Sequence, residues 1–110
     1  MNFDELFGGG KMEALMQQAQ ALQKQVQDAQ ARAAQREVTG ESGGGLVKVT
    51  ATGAMTVSRV WIDPVTLTDK DMLEDLLTAA VNDALRRAKE AVTEEMGPLG
   101  AMAKNAGLGF

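Results

Sequence analysis

Apolar residues recur at helical spacing over the first third of the chain. They are separated alternately by three and four residues: Met12, Leu15, Ala19, Leu22, Val26, Ala29 and Ala33. No Gly or Pro interrupts residues 11–39, and all eight glutamines of the chain fall between Gln17 and Gln35. The pattern predicts one long amphipathic helix over about residues 11–36. This helix either lies on the chain's own sheet or forms a seam with another helix.

Beyond residue 37 the spacing changes to an alternation with a period of two, and β-branched residues dominate. Residues 46–52 and 55–63 predict two strands joined by a hairpin at Gly53, and a shorter strand around Val38 precedes them. The alternation assigns the side chains of the last strand to two faces, with Val60 and Ile62 on one and Val57 and Trp61 on the other.

A second long helix is predicted after Pro64, which ends the last strand. Thr68 is a favourable N-cap residue, and Asp71 follows three positions later in an arrangement close to a capping box. Apolar residues then repeat at helical spacing as far as Val92, and the Met-Gly-Pro sequence of residues 96–98 is a stop signal. We therefore expect a helix over about residues 69–96.

These elements predict an α+β fold: a long helix, a three-stranded antiparallel meander and a long helix over residues 11–96. Residues 1–10 are expected to form a flexible arm and residues 97–110 a flexible tail, because both segments are rich in glycine. Three short strands cover only part of two such helices, so apolar helical surface stays exposed in one chain. Exposed patches of this kind mark interfaces, and a symmetric homodimer is the simplest way to cover them.

Composition removes most catalytic chemistry. The 110 residues include no Cys and no His, no Tyr and only two serines, Ser42 and Ser58. Thiol nucleophiles, the usual general base and Cys or His metal sites are therefore excluded, and we expect no enzyme, metal, cofactor or small-molecule substrate. The absence of Cys fits the cytoplasm, and no apolar run approaches the length of a membrane span.

Two motifs admit a functional interpretation beside a structural one. Gly43, Gly44 and Gly45 resemble a phosphate loop, but a strand follows them instead of a helix, so a turn that needs positive φ is favoured. The glycines of residues 8–10 do precede a helix; a flexible linker is favoured there over an anion contact. Trp61, the only Trp, is expected to pack in the core or on the sheet, with stacking on a nucleic-acid base as the alternative.

Charge gives a weak signal. Eleven basic and fifteen acidic residues leave a net charge of −4, which is not the composition of a typical polyanion-binding protein. The second helix carries three cations close together: Arg86, Arg87 and Lys89. Helical pairs between Asp83 and Arg87 and between Arg86 and Glu90 would neutralise much of that charge, which makes an ordinary solvated face the simpler interpretation.

The chain resembles the YbaB/EbfC family of bacterial nucleoid-associated proteins. The resemblance rests on the segments TGESGGGLVKV at 39–49, IDP at 62–64, LEDLLTAAVNDA at 73–84 and MQQAQ at 16–20. It covers roughly residues 8–96, and the tail departs from the family pattern. It implies an α-β-β-β-α protomer and a tweezers-like homodimer that binds duplex DNA in the nucleoid of the cytoplasm and alters its conformation, with roles in nucleoid organisation, gene regulation or DNA protection.

Under this interpretation, binding requires cations gathered on one surface, because a dimer carries twice the protomer charge of −4. The candidate DNA-binding residues come from both helices: Lys24, Arg32, Arg86, Arg87 and Lys89. The candidate dimer-interface residues come from the first helix and the middle strand: Leu15, Ala19, Leu22, Val26, Val47 and Val49.

A protein-interaction or chaperone-like clasp without physiological DNA binding is the alternative. Two long helices joined through β-hairpins also suit a protein that holds clients between helical arms. The acidic composition and the methionines, such as Met12 and Met16, favour this alternative, because Met adapts to varied apolar surfaces.

Overall fold

The computed structural model describes the backbone of residues 10–105 and the side chains of residues 10–99. The elements in chain order are α1 (Lys11–Gln35), β1 (Glu37–Ser42), β2 (Val47–Thr52), β3 (Val57–Ile62), a 3₁₀ helix (Pro64–Thr68) and α2 (Lys70–Asn105). The predicted α+β order is therefore confirmed, while the 3₁₀ helix was not predicted. Apart from Gly10, the arm predicted for residues 1–10 lies outside the described residues.

The three strands form an antiparallel meander in the order β1-β2-β3. Helix α2 packs on one face of it, over β1 and β2. The resulting core is made of small side chains, which are fully buried: Val47, Val49, Ala51, Ala80, Ala84 and Ala88. Because alanines line this side of α2, the helix approaches the sheet closely and larger side chains flank the contact.

Two glycines mark the closest approaches between elements. A Cβ atom added at Gly40 in β1 would lie 2.2 Å from the backbone nitrogen of Ala84, so α2 rests directly on the strand. A Cβ atom added at Gly53, in the β2–β3 hairpin, would lie 1.8 Å from the carbonyl oxygen of Ala33. The Gly53 N–H also donates to the Arg36 carbonyl oxygen at 3.0 Å. The C-terminal end of α1 therefore packs directly against the β2–β3 hairpin.

A β-bulge changes the predicted faces of β3. Pairing is regular from Val47 opposite Ile62 to Thr50 opposite Arg59, but Ala51 then pairs with Val57, which leaves Ser58 as an extra residue. Cross-strand partners share a face of the sheet. Val57 therefore lies on the helix side with Val60 and Ile62, and the expectation that it shares the Trp61 face was wrong.

Both ends of α2 differ from the prediction. Thr68 belongs to the 3₁₀ helix, and Asp69 is the residue whose carboxylate accepts a hydrogen bond from the Met72 N–H at 3.0 Å. At the other end Gly97 has φ 47° and ψ −132°, which interrupts the helix where the stop signal stands, but helical backbone resumes to Asn105. The flexibility predicted for the tail stays a prediction, and residues 106–110 lie outside the described residues.

The molecule is elongated, with extents of 79 × 19 × 16 Å and a radius of gyration of 22.0 Å. A compact chain of this length has a radius of gyration of about 13 Å. The excess arises because α1 and the distal part of α2 extend past one end of the small sheet, in contact with each other. The prediction that the helices outrun the sheet is confirmed.

Candidate nucleic-acid and self-association surfaces

The outer part of α1 presents apolar side chains that no other described part of the chain covers. Only Ala29 and Ala33 of its stripe are buried, close to α2. Toward the N-terminus, Leu15 is 54% exposed and Leu22 is 40% exposed, and Ala19 between them is also exposed. Val26 is half-buried at the transition. The predicted interface residues of α1 thus form a continuous strip on the projecting part of the helix.

The two interface residues predicted on β2 occupy a different position. Val47 and Val49 are both fully buried beneath α2 in the protomer core. They have no surface left to offer a partner chain, so their assignment to an interface was wrong. Alternation correctly placed both valines on one face, but it did not reveal that the chain's own second helix covers that face.

Strand β3 supplies apolar surface that sequence reasoning did not assign to an interface. Val57 and Val60 are exposed on the helix side, because α2 covers β1 and β2 and leaves β3 open. The following 3₁₀ helix adds Val65 and Leu67, each more than 60% exposed. The sequence did contain a signal for this surface. A single helix cannot cover all three strands of the sheet, so apolar residues on the helix side of the third strand are left exposed.

The two arginines of the basic cluster on α2 form ion pairs with acidic side chains of the same helix. Arg86 donates to Asp83 at 2.6 Å and to Glu90 at 3.0 Å, and Arg87 donates to the other oxygen of Asp83 at 3.1 Å. The two pairs named in the simpler interpretation, Asp83 with Arg87 and Arg86 with Glu90, are therefore both present. Hydrogen bonding to Asp83, followed by the charge of Glu90, raises the pKa of Arg86.

Asp83 also links this cluster to the sheet. Its carboxylate accepts the backbone N–H of Glu41 at 3.0 Å. That hydrogen bond, followed by those from Arg86 and Arg87, lowers the pKa of Asp83 to about 2. The two arginines thus help to hold a carboxylate that anchors α2 against β1.

Arg32 is also paired, at the base of the projecting helices. It donates to Glu95 at 2.9 Å, and the neighbouring Arg36 lies 3.2 Å from Glu94. Exposed ion pairs of this kind contribute at most about 1 kcal/mol each. They nevertheless join α1 to α2 where both helices leave the sheet, so Arg32 has a structural partner as well as an exposed position.

Lys24 and Lys89 differ from the three candidate arginines. Within residues 10–99, neither ammonium lies within 4.0 Å of a carboxylate. Arg32 of α1 meets Glu95 of α2, and the two helices run antiparallel. Lys24 lies eight residues before Arg32, and Lys89 lies six residues before Glu95, so the two lysines lie in opposite directions from this ion pair. At the usual rise per residue the two lysines are therefore about 21 Å apart along the helices. The five candidates do not form one compact patch.

The triple glycine of residues 43–45 forms a turn. Gly43, Gly44 and Gly45 have φ values of 62°, 67° and 98° in the turn between β1 and β2, which confirms the turn interpretation.

A cleft of about 260 Å³ beside β1 contains Arg36 and Arg87 together with Glu90 and Glu94, so its positive and negative charges compensate each other. Over the described part of the chain, no cluster of three or more acidic, His or Cys side chains is suited to a metal ion.

The described helices include none with the length and apolar character needed to cross a bilayer. The molecule is instead an α-β-β-β-α protein with paired helices that project beyond a half-covered sheet. Most of its exposed large apolar side chains lie on α1, on β3 and on the 3₁₀ helix.

The chain belongs to the YbaB/EbfC DNA-binding family, whose model matches residues 8–103. A crystal structure of the uncharacterized protein HP0035 from Helicobacter pylori is similar, with a TM-score of 0.56 and 26% sequence identity. The match covers 66% of this chain and 86% of that one. The match to the family extends into the tail, past the end of the sequence resemblance at residue 96.

Proposed function

We propose that this protein binds duplex DNA as a homodimer and alters its conformation, and so contributes to nucleoid organisation, gene regulation or DNA protection in the cytoplasm. The observation that carries the proposal is the pair of helices projecting from the sheet, with an uncovered apolar strip on α1, in a chain of a DNA-binding family. The strip accounts for self-association, and the exposed helical cations account for contact with phosphates.

Self-association is supported by two apolar surfaces of one protomer. The α1 strip contains Leu15 and Leu22, and the helix side of β3 contains Val57 and Val60. Burial of apolar surface contributes roughly 25 cal/mol for each Å² removed from water. A two-fold arrangement covers the same residues in both copies at once, which makes a symmetric dimer the economical solution.

Introduction of negative charge into the apolar strip of α1 tests the dimer. L15E/L22E places two carboxylates on the strip and should convert the protein to monomers at micromolar concentration, as measured by sedimentation equilibrium. The matched control is Q20E/Q27E, which adds the same charge at the same spacing on the opposite side of the helix. A wild-type protein that sediments as a monomer, or a dimer that survives L15E/L22E, would contradict the proposal.

DNA contact is proposed for the helical cations with different weights. Lys89 is exposed and three residues from Arg86, so the two share the solvent face of α2. Because Arg86 shares its charge with Asp83 and Glu90, the Lys89 ammonium is the stronger candidate for a phosphate contact. A dimer presents two copies of each cationic site at separate positions. Two local positive sites offset the unfavourable net charge of the chain.

Salt dependence of duplex binding tests this assignment. Each phosphate contact contributes a slope of about 0.9 in log K against log salt, so K89A, present twice in a dimer, should lower the slope by about 1.8. R86A should lower it less, and E90Q should raise affinity by removing a competing carboxylate. The control is K70A, which removes the same charge from a lysine near Glu74. Equal effects of K89A and K70A would remove Lys89 from the interface.

The clasp alternative predicts a different result with the same proteins. The exposed methionines Met12 and Met16 on α1 are the observation that favours it. If duplex binding disappears in a gel shift near physiological salt while L15E/L22E abolishes binding of an unfolded client protein, the clasp replaces DNA binding as the function.

A further inference from the structure

The face of the sheet opposite α2 is uncovered and carries a distinct set of side chains. Cross-strand pairing places Lys48 beside Trp61 and Thr50 beside Arg59 on this face. The helix side takes the alternating partners, which include the buried Val47 and Val49. No element of the described chain packs over the open face, so these side chains meet solvent.

Trp61 is the central feature of this face. It lies on the sheet, one of the two positions expected from sequence, and it is 44% exposed. The ammonium nitrogen of Lys48 lies 5.6 Å from the centroid of the ring. An exposed indole next to a cation offers a π surface for stacking and a charge for a phosphate in one place.

The charges of the open face are arranged by strand. Strands β2 and β3 contain no acidic residue, and within residues 10–99 neither Lys48 nor Arg59 lies within 4.0 Å of a carboxylate. The acids Glu37 and Glu41 lie on the same open face in β1, the strand next to β2. Glu41 is the cross-strand partner of Lys48, and no ion pair joins them. The β2–β3 half is therefore basic and aromatic.

We propose that this open face is a binding site for single-stranded DNA, with a base stacked on Trp61 and phosphates held by Lys48 and Arg59. Single strands fit the face better than a duplex does, because only unpaired bases can lie flat on an exposed ring. The proposal goes beyond duplex binding and does not depend on the homodimer. It assigns to one protomer a second nucleic-acid surface, separate from the helices.

The single Trp of the chain provides a direct test. Titration of the full-length protein with oligo(dT) should quench its tryptophan fluorescence, because a stacked base would contact Trp61, the only tryptophan of the chain. W61A should weaken binding of a labelled oligo(dT), measured by anisotropy, by about 5- to 100-fold. K48A/R59A should lower the salt slope by about 1.4, which corresponds to two contacts on a single strand.

Two further variants separate this site from general charge effects. E41Q should tighten oligo(dT) binding, since it removes the acid beside Lys48. K70A changes the net charge as K48A does but lies outside the face, and it should leave oligo(dT) binding unchanged. Circular dichroism of every variant confirms that the fold is retained before affinities are compared.

The outcomes distinguish the two proposals. If duplex binding is present but oligo(dT) neither quenches Trp61 nor responds to W61A, the single-strand site is overturned and the duplex proposal stands. If oligo(dT) binds at Trp61 but duplex DNA does not bind, only the duplex proposal fails. If the emission wavelength shifts with protein concentration alone and oligo(dT) has no effect, a second copy covers the face and the single-strand site is overturned.

Discussion

Replacing Gly40 by Ala probes how closely α2 lies on the sheet. The added Cβ atom would lie 2.2 Å from the Ala84 nitrogen, 2.6 Å from its Cα and 2.8 Å from the Ala80 carbonyl oxygen. All three atoms belong to the helix backbone. Ordinary van der Waals contact begins at 3.4 Å, so relief of the first clash requires a displacement of 3.4 − 2.2 = 1.2 Å. No rotamer change can supply it.

The energetic cost follows from this geometry. Overpacking a core costs typically about 1–3 kcal/mol, and the upper end applies where backbone must move. The helix would also lift away from Val47 and Val49, with loss of dispersion contacts at the centre of the core. Ala is favoured over Gly in a strand by roughly 0.5–1 kcal/mol, which offsets a small part. We expect a net destabilisation of about 2–3 kcal/mol.

Urea unfolding followed by circular dichroism measures this cost. With an m value of about 2 kcal/mol per molar for a protein of this size, G40A should lower the midpoint by about 1–1.5 M. Protomer concentration must be equal in all samples, because dimerisation adds to apparent stability. T39A, an exposed neighbour in the same strand, is the control for general strand effects.

A second variant makes the reasoning refutable at atomic level. A84G removes the Ala84 methyl group but keeps its nitrogen and Cα, so G40A/A84G should be no more stable than G40A. Rescue by A84G would show that the side chain is the obstacle. A midpoint for G40A equal to that of the wild type would show that α2 does not rest on β1 as closely as described.

Further predictions concern ionisation and helix capping. Because the pKa of Asp83 is lowered to about 2 in the folded protein, its stabilising contribution is present above about pH 4 and is lost as the pH falls toward 2. Urea midpoints measured across this range should therefore fall less steeply for D83N than for the wild type, and parallel curves would contradict the assignment. D69A should cost about 1 kcal/mol because it removes the capping carboxylate, whereas T68A should cost less; thermal unfolding compares them.

Sequence reasoning located the elements well because their signals are local. The three-and-four spacing of α1 predicted residues 11–36 and the helix spans Lys11–Gln35; alternation found β2 and β3. The errors occurred where local signals compete. Both Thr68 and Asp69 are competent N-caps, and the choice depends on the 3₁₀ helix that precedes them. The bulge at Ser58 likewise reverses the alternation on which the face of Val57 was assigned.

The candidate surfaces were harder to predict, because the exposure of a residue depends on which helix or strand packs over it. Val47 and Val49 satisfied the pattern of an interface, yet α2 buries them. The pairs of Arg86 and Arg87 with Glu90 and Asp83 were predicted from helical spacing, but the pair of Arg32 with Glu95 on the other helix had no local signal. The exposed strip of α1 was predicted correctly, because its length alone exceeds what a three-stranded sheet can cover.

The sequence by itself determined the order of the elements, the excess length of the helices and the absence of Cys and His chemistry, since these depend on residue type and short-range spacing. Tertiary structure alone decided which strands α2 covers, that Arg32 of α1 pairs with Glu95 of α2, and that Trp61 is exposed. Those outcomes depend on contacts between residues distant in the chain, such as Gly40 with Ala84 and Gly53 with Ala33. The contacts of α2 with the sheet lie on β1 and β2, so this arrangement leaves β3 and the open face uncovered.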